Sequence, residues 1–205
     1  MISGGSQADA RLAARLRGLR LERDLTLDGL AERAGVSRSM ISLIERGESS
    51  PTASVLDKLS VGLGVTLASL FAEEEQADAT PLARHADQRA WRDPETGYVR
   101  RNLSPPGFPS RIELVEVLLP PGARVAYDTG FRSPAVDQQV WVLEGSMRLT
   151  RGETTYSLAT GDCLAMQLDR PIAFHNPSDR PVRYLVALTL RTGQAGRPGA
   201  LRTSA

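Results

Sequence analysis

Residues 26–47, TLDGLAERAGVSRSMISLIERG, decide the fold of the N-terminal part of this chain. Leu27, Leu30, Ala31 and Ala34 recur at i, i+3, i+4 and i+7, the spacing of one apolar helix face. Ile41 and Ile44 resume that face after a break. Thr26 and Ser37 stand where the two helices need N-caps, and Gly35 stands where the first must end in a left-handed residue. Helices joined by so short a turn leave the outer face of the second one free, a shape that fits a DNA major groove.

Working outward, the periodicity predicts a helix from about Ala10 to Arg23 that buries Leu12, Leu16 and Leu19. Beyond residue 47 it predicts one from about Thr52, with Val55, Leu56, Leu59 and Leu63 inward. A last helix, capped by Thr66, would bury Leu67, Leu70 and Phe71. Over residues 10–72 the chain resembles the phage-repressor (Cro/Xre-like) helix-turn-helix domains. The pattern is carried by Thr26, Leu30, Ala31, Ala34, Gly35, Val36, Ser37, Ile41, Ile44, Glu45, Arg46 and Gly47. The resemblance implies a five-helix, lambda-repressor-like fold that binds double-stranded operator DNA. It puts Ser37 at the start of the recognition helix, with Arg38, Ser39, Ser42 and Leu43 on the groove-facing side. Arg38 suits guanine O6/N7, the serine hydroxyls suit bases or phosphates, and Leu43 suits a thymine methyl. Thr26 and Arg46 are expected on phosphates. Leu27 occupies a place where many relatives carry a DNA-touching Gln, and Gly29 softens the second helix by about 1 kcal/mol relative to Ala. Both suggest modest intrinsic affinity and a need for dimerisation. Arg20 and Glu45 sit where related repressors carry a buried ion pair.

At 205 residues, 41% of them hydrophobic, the chain is long enough for two packed units. A net charge of +1 is low for a nucleic-acid binder, but charge distribution matters more than its sum. Arg11, Arg15, Arg17 and Arg20 cluster on the first helix, while Glu73, Glu74 and Glu75 lie beyond the DNA-binding unit. No stretch approaches the ~18–20 apolar residues of a membrane span, and MISGGSQADA has no signal-peptide pattern. The single cysteine, Cys163, rules out an internal disulfide. These features predict a cytoplasmic protein without a membrane partner, with Cys163 as an ordinary small core residue.

Residues 1–9 and the tail 191–205 read as disordered, and 73–107 as a linker and lead-in segment. Period-two strands follow: 111–119, 138–145, 146–152, 154–158 and 182–190, punctuated by turns such as Pro120-Pro121-Gly122 and Thr160-Gly161-Asp162. Short strands so spaced suggest an antiparallel β-barrel or jelly roll.

Residues 108–190 resemble a cupin, on Pro120 to Gly122, Val140 to Gly145, Gly161-Asp162 and Arg170 to Pro177. A helix-turn-helix followed by a cupin is a familiar arrangement among bacterial regulators, in which the barrel is taken to sense a small molecule and to dimerise. Metal-binding cupins need imidazole and carboxylate donors. Here Gln138 falls at the glutamate position, Ile172 falls at the second motif's histidine position, and YDTGFRSPAVD holds no histidine. Neither metal nor cofactor is therefore expected. Alternation points Gln138, Val140, Val142, Met166, Ile172 and Phe174 inward, with Tyr127, Asp128 and Arg132 near the mouth. This is a candidate effector pocket that lacks a nucleophile or base. A barrel filled by its own side chains, serving dimerisation alone, is the plainer alternative.

The reading favoured is a dimeric, sequence-specific transcriptional regulator and not an enzyme. Its alternatives are a metal-dependent cupin enzyme with an accessory DNA-binding module, and an antitoxin that represses its own operon.

Overall fold

A computed structural model of the chain describes residues 4–65, 67–71, 79–127 and 136–190. Four α-helices come first: α1 (Gly4–Leu21), α2 (Leu27–Ala34), α3 (Arg38–Glu45) and α4 (Ala53–Leu63). Each of the last three begins at a hydroxyl cap. Thr26 Oγ1 accepts from the Gly29 amide at 3.0 Å, Ser37 Oγ from Met40 at 3.2 Å, and Thr52 Oγ1 from Val55 at 3.4 Å. Gly35 ends α2 at φ +63° and donates its amide to the Ala31 carbonyl. The core of this unit joins Leu12, Leu16 and Leu19 of α1 to Leu30, Ile41, Ile44, Leu56 and Leu59.

Two features of the helical unit differ from expectation. Helix α1 already begins at Gly4, so residues 4–9, read as disordered, are helical. The expected fifth helix is a single 3-10 turn, Ala68–Leu70. Leu67 and Leu70 are buried as predicted, but Phe71 turns onto Trp91 with ring centroids 5.6 Å apart. Packing against the second unit thus takes over from helical periodicity. Thr66, the expected cap of that helix, lies outside the described residues.

Ten strands follow among the described residues: β1 (Ala90–Arg92), β2 (Val99–Asn102), β3 (Ile112–Leu119), β4 (Arg124–Tyr127), β5 (Val136–Glu144), β6 (Ser146–Arg151), β7 (Thr154–Ala159), β8 (Cys163–Gln167), β9 (Ile172–His175) and β10 (Val182–Leu190). All pairings are antiparallel, in a six-stranded sheet β1-β2-β3-β10-β5-β8 and a four-stranded sheet β4-β9-β6-β7. The inner faces meet in Val115, Val117, Val140, Tyr184 and Val186 from one sheet and Val125, Leu149 and Phe174 from the other. Phe174 stacks flat on Tyr184 across the gap, at 5.6 Å between centroids. Among the described residues no strand pairing joins the two sheets, so the unit is a two-sheet sandwich rather than the closed barrel expected. Alternation specifies which face is buried and says nothing about closure.

The segment read as a linker is structural in its second half. β1 and β2 extend the six-stranded sheet through the β2–β3 pairing, Arg100 opposite Val117 and Asn102 opposite Val115. The turn between β1 and β2 docks the two units. Asp93, 1% exposed, accepts from the amide of Ala53 at the start of α4 at 3.1 Å and from that of Thr96 at 3.1 Å.

Cys163 is exposed, not buried. It pairs opposite Trp141 on the outer face, because Met166 points inward and strand parity turns Cys163 the other way. The expected disorder of residues 1–3 and 191–205 lies outside the described residues.

Candidate nucleic-acid interface and sandwich interior

The candidate recognition face forms because α3 has one apolar stripe and turns it to the core. Ile41 and Ile44 are 1% exposed, while Ser37, Arg38, Ser39 and Met40 are exposed at the helix start. The free amides of that first turn and the exposed side chains therefore point the same way, toward solvent. Ser37 is tied up as the cap and also lies 3.2 Å from Ser39 Oγ. Arg38 is held by Asp28 of α2 at 3.3 Å, in an ion pair whose partners are 63% and 76% exposed. That pair lies open to solvent. Ser42 and Arg46 are bonded to each other, and Arg46 also forks onto Glu48 at 2.8 and 2.7 Å. Leu43 is half-buried, and so is Leu27, which packs against the core. Thr26 caps α2 from an exposed position.

Met40 was missed by sequence reasoning. It lies in the first turn of α3 with 37% of its surface exposed, a flexible apolar side chain beside Arg38. Its place on the exposed side of a helix whose apolar stripe is already filled was the available signal.

Behind this face, Arg20 of α1 forks onto Glu45 of α3 with both distances 2.7 Å, and donates to the Leu25 carbonyl at 2.8 Å. The hydrogen bonds to Glu45 push the guanidinium's pKa further up. This is the buried pair expected from the resemblance.

In the sandwich, Tyr127, Gln138, Val140, Met166, Ile172 and Phe174 are all buried. Tyr127, Gln138, Ile172 and Phe174 line one cavity of about 40 Å³ between the sheets; Val140 and Met166 pack without reaching it. Asp128 and Arg132, expected at the mouth, lie outside the described residues. The cavity also takes in Tyr98, Arg100, Tyr184 and Leu67, the last from the helical unit. Burial, with the neighbouring Tyr98, raises the phenol pKa values of Tyr127 and Tyr184 well above the ordinary range. Glu113, half-buried on β3, is raised by burial against the opposing pull of Arg100. Arg100 and Asn102 escaped sequence reasoning because the strand VRRN carries no apolar alternation, and Tyr98 lies in the turn just before it. Among the described residues no group of three His, Cys, Asp or Glu side chains is arranged to hold a metal.

A capped, outward-facing α3 on a four-helix unit, docked to an antiparallel two-sheet sandwich, is the arrangement of a helix-turn-helix module joined to a cupin. The chain matches the helix-turn-helix family model over residues 16–70 and the cupin-domain model over residues 115–188. It is 30% identical over 182 residues to the HTH-type transcriptional regulator PuuR of Escherichia coli (strain K12), a match covering 87% of this chain and 94% of PuuR. The HTH-type transcriptional regulator SutR of the same organism is 39% identical over 79 residues, 38% of this chain and 43% of SutR. A solved HTH_3 family transcriptional regulator from Vibrio cholerae is 25% identical with a TM-score of 0.69, covering 90% of this chain and 97% of that one. The chain belongs to the Xre-type helix-turn-helix transcriptional regulators that carry a C-terminal cupin domain.

Proposed function

We propose that this protein is a dimeric, sequence-specific regulator that reads operator DNA with α3 and is not an enzyme. The observation that carries the reading is the exposed start of α3, Ser37 to Met40, on a helix whose Ile41 and Ile44 anchor it in the core. One such helix spans only a few base pairs, so a two-fold dimer reading half-sites roughly 34 Å apart supplies the remaining specificity. Leu118 and Trp141, 40% and 47% exposed on the outer face of the six-stranded sheet, support self-association there. Among the described residues the sandwich cavity is lined by tyrosines, an amide, an arginine and apolar groups, without imidazole, thiol or carboxylate. That lining favours holding a small effector over acid–base chemistry. No helix among the described residues is long and apolar enough to cross a membrane. A DNA reader works where the DNA is, in the cytoplasm.

Genomic footprinting with the purified protein identifies the operator, and Arg38→Ala tests the assigned face. The variant is expected to lose about 1–3 kcal/mol of operator binding and to relax specificity at one position of each half-site. Wild-type binding to operator and random DNA alike would show that another surface reads the sequence.

A further inference from the structure

A second cavity, of about 60 Å³, lies where the two units meet. Leu12 and Phe71 of the helical unit form one wall, and Gln88, Trp91, Arg100 and Asn102 of the sandwich form the other. Four of these six side chains carry buried polar atoms with no hydrogen-bond partner among the described residues: Gln88 Oε1, Trp91 Nε1, Arg100 Nε and Nη2, and Asn102 Oδ1. Trp91 is 5% exposed and Arg100 7% exposed. A buried polar atom left unpaired costs about 1–3 kcal/mol, and more for a charged group. A concentration of such atoms around one hollow marks a place built to receive something. The Phe71 ring, 5.6 Å from the Arg100 guanidinium carbon, supports the cation from one side and leaves Nε and Nη2 open.

The pattern of open valences describes the ligand. Nε and Nη2 form one edge of the guanidinium, two parallel donors spaced for the two oxygens of a carboxylate. Trp91 Nε1 adds a third donor. Gln88 Oε1 and Asn102 Oδ1 call for a donor on the ligand, beside its anionic group. Arg11, Asp87 and Arg89 also line the cavity, and the Glu113 carboxyl is close enough to feel the charge of Arg100. The two open acceptors, rather than the charge of the lining, favour a ligand that brings its own donor over a dianion such as phosphate. We infer that the cleft between the helix-turn-helix unit and the cupin binds a short-chain monocarboxylate bearing an adjacent amino or hydroxyl group, the carboxylate on Arg100. The site is separate from the cavity between the sheets, although Arg100 borders both. Its role as an effector site rests on the regulator reading above, because a ligand touching both walls couples the cupin to the orientation of the DNA-binding unit.

The test uses the full-length chain carrying Trp141→Phe, so that Trp91 is the remaining tryptophan of the two. Acetate, lactate and alanine are titrated against sodium chloride as control, following Trp91 emission and the thermal midpoint. Lactate or alanine should change the emission and raise the midpoint by roughly 5 °C at a hundredfold excess over Kd. Acetate, lacking the second donor, should bind about tenfold more weakly. Arg100→Met should lose the response to all three. If that variant fails to fold, Asn102→Leu serves in its place: it should keep acetate binding and lose the preference for lactate or alanine. No response from any of the acids, or an equal response in Arg100→Met, overturns the inference, as does an unchanged preference in Asn102→Leu. A parallel operator-binding assay on the unsubstituted chain separates the two readings. DNA binding without carboxylate binding sinks only the ligand site, and carboxylate binding without DNA binding sinks only the regulator.

Discussion

Arg20 and Glu45 illustrate how much one pair of side chains can hold. Their side chains are 11% and 6% exposed, both oxygens of Glu45 are used by Arg20, and the pair joins α1 to the last residue of α3. Removing one partner strands the other charge inside the protein. Glu45→Ala is therefore expected to cost about 3–5 kcal/mol in urea unfolding, and replacing both by apolar residues of similar volume should cost far less. A Glu45→Ala loss below about 1 kcal/mol would show that the pair is incidental. The pair was legible in the sequence through the resemblance, whereas the Arg38–Asp28 and Arg46–Ser42–Glu48 contacts were not. Those depend on which rotamer an exposed arginine takes, and no sequence pattern sets that.

At the scale of elements, α2 and α4 approach closely because Gly62 has no side chain. A Cβ built there would stand 2.8 Å from Ala34 Cβ and 3.0 Å from the Ala34 amide nitrogen. Helix propensity alone predicts that Gly62→Ala stabilises α4 by about 1 kcal/mol. The contact predicts the opposite, a loss of about 1–3 kcal/mol as the helices are forced apart. Thermal unfolding decides between them, and a raised midpoint would mean that α2 can shift without penalty. The caps of α2 and α3 were readable because capping is local, a side chain bonding an amide three residues on. The 3-10 turn that replaced a fifth helix was not, because Leu67 and Phe71 answer to a partner distant in sequence.

At the scale of the molecule, the two units are joined by more than a tether. Asp93 brings a carboxylate to the start of α4, where the free amides and the helix dipole favour negative charge, and Trp91 packs beside it on Phe71. Asp93→Ala should uncouple the units locally. The amides of the first turn of α4, Ala53 above all, are expected to exchange with solvent about tenfold faster, by hydrogen-exchange mass spectrometry. Unchanged exchange there would show that the docking does not depend on this carboxylate.

What the sequence determined by itself were the features with short range: two helices and their turn, the hydroxyl caps, and strands whose alternating residues mark an inner face. The exposed start of α3 and the inward set Gln138, Ile172 and Phe174 followed from those rules. Only the tertiary structure decided that the barrel stays open as two sheets, that Cys163 faces solvent, and that Arg100 and Asn102 of a polar strand turn inward. The physical reason is the same in each case. Whether a side chain is buried beyond its own strand depends on what packs over it. For Arg100 the covering group is Phe71, contributed by the other unit.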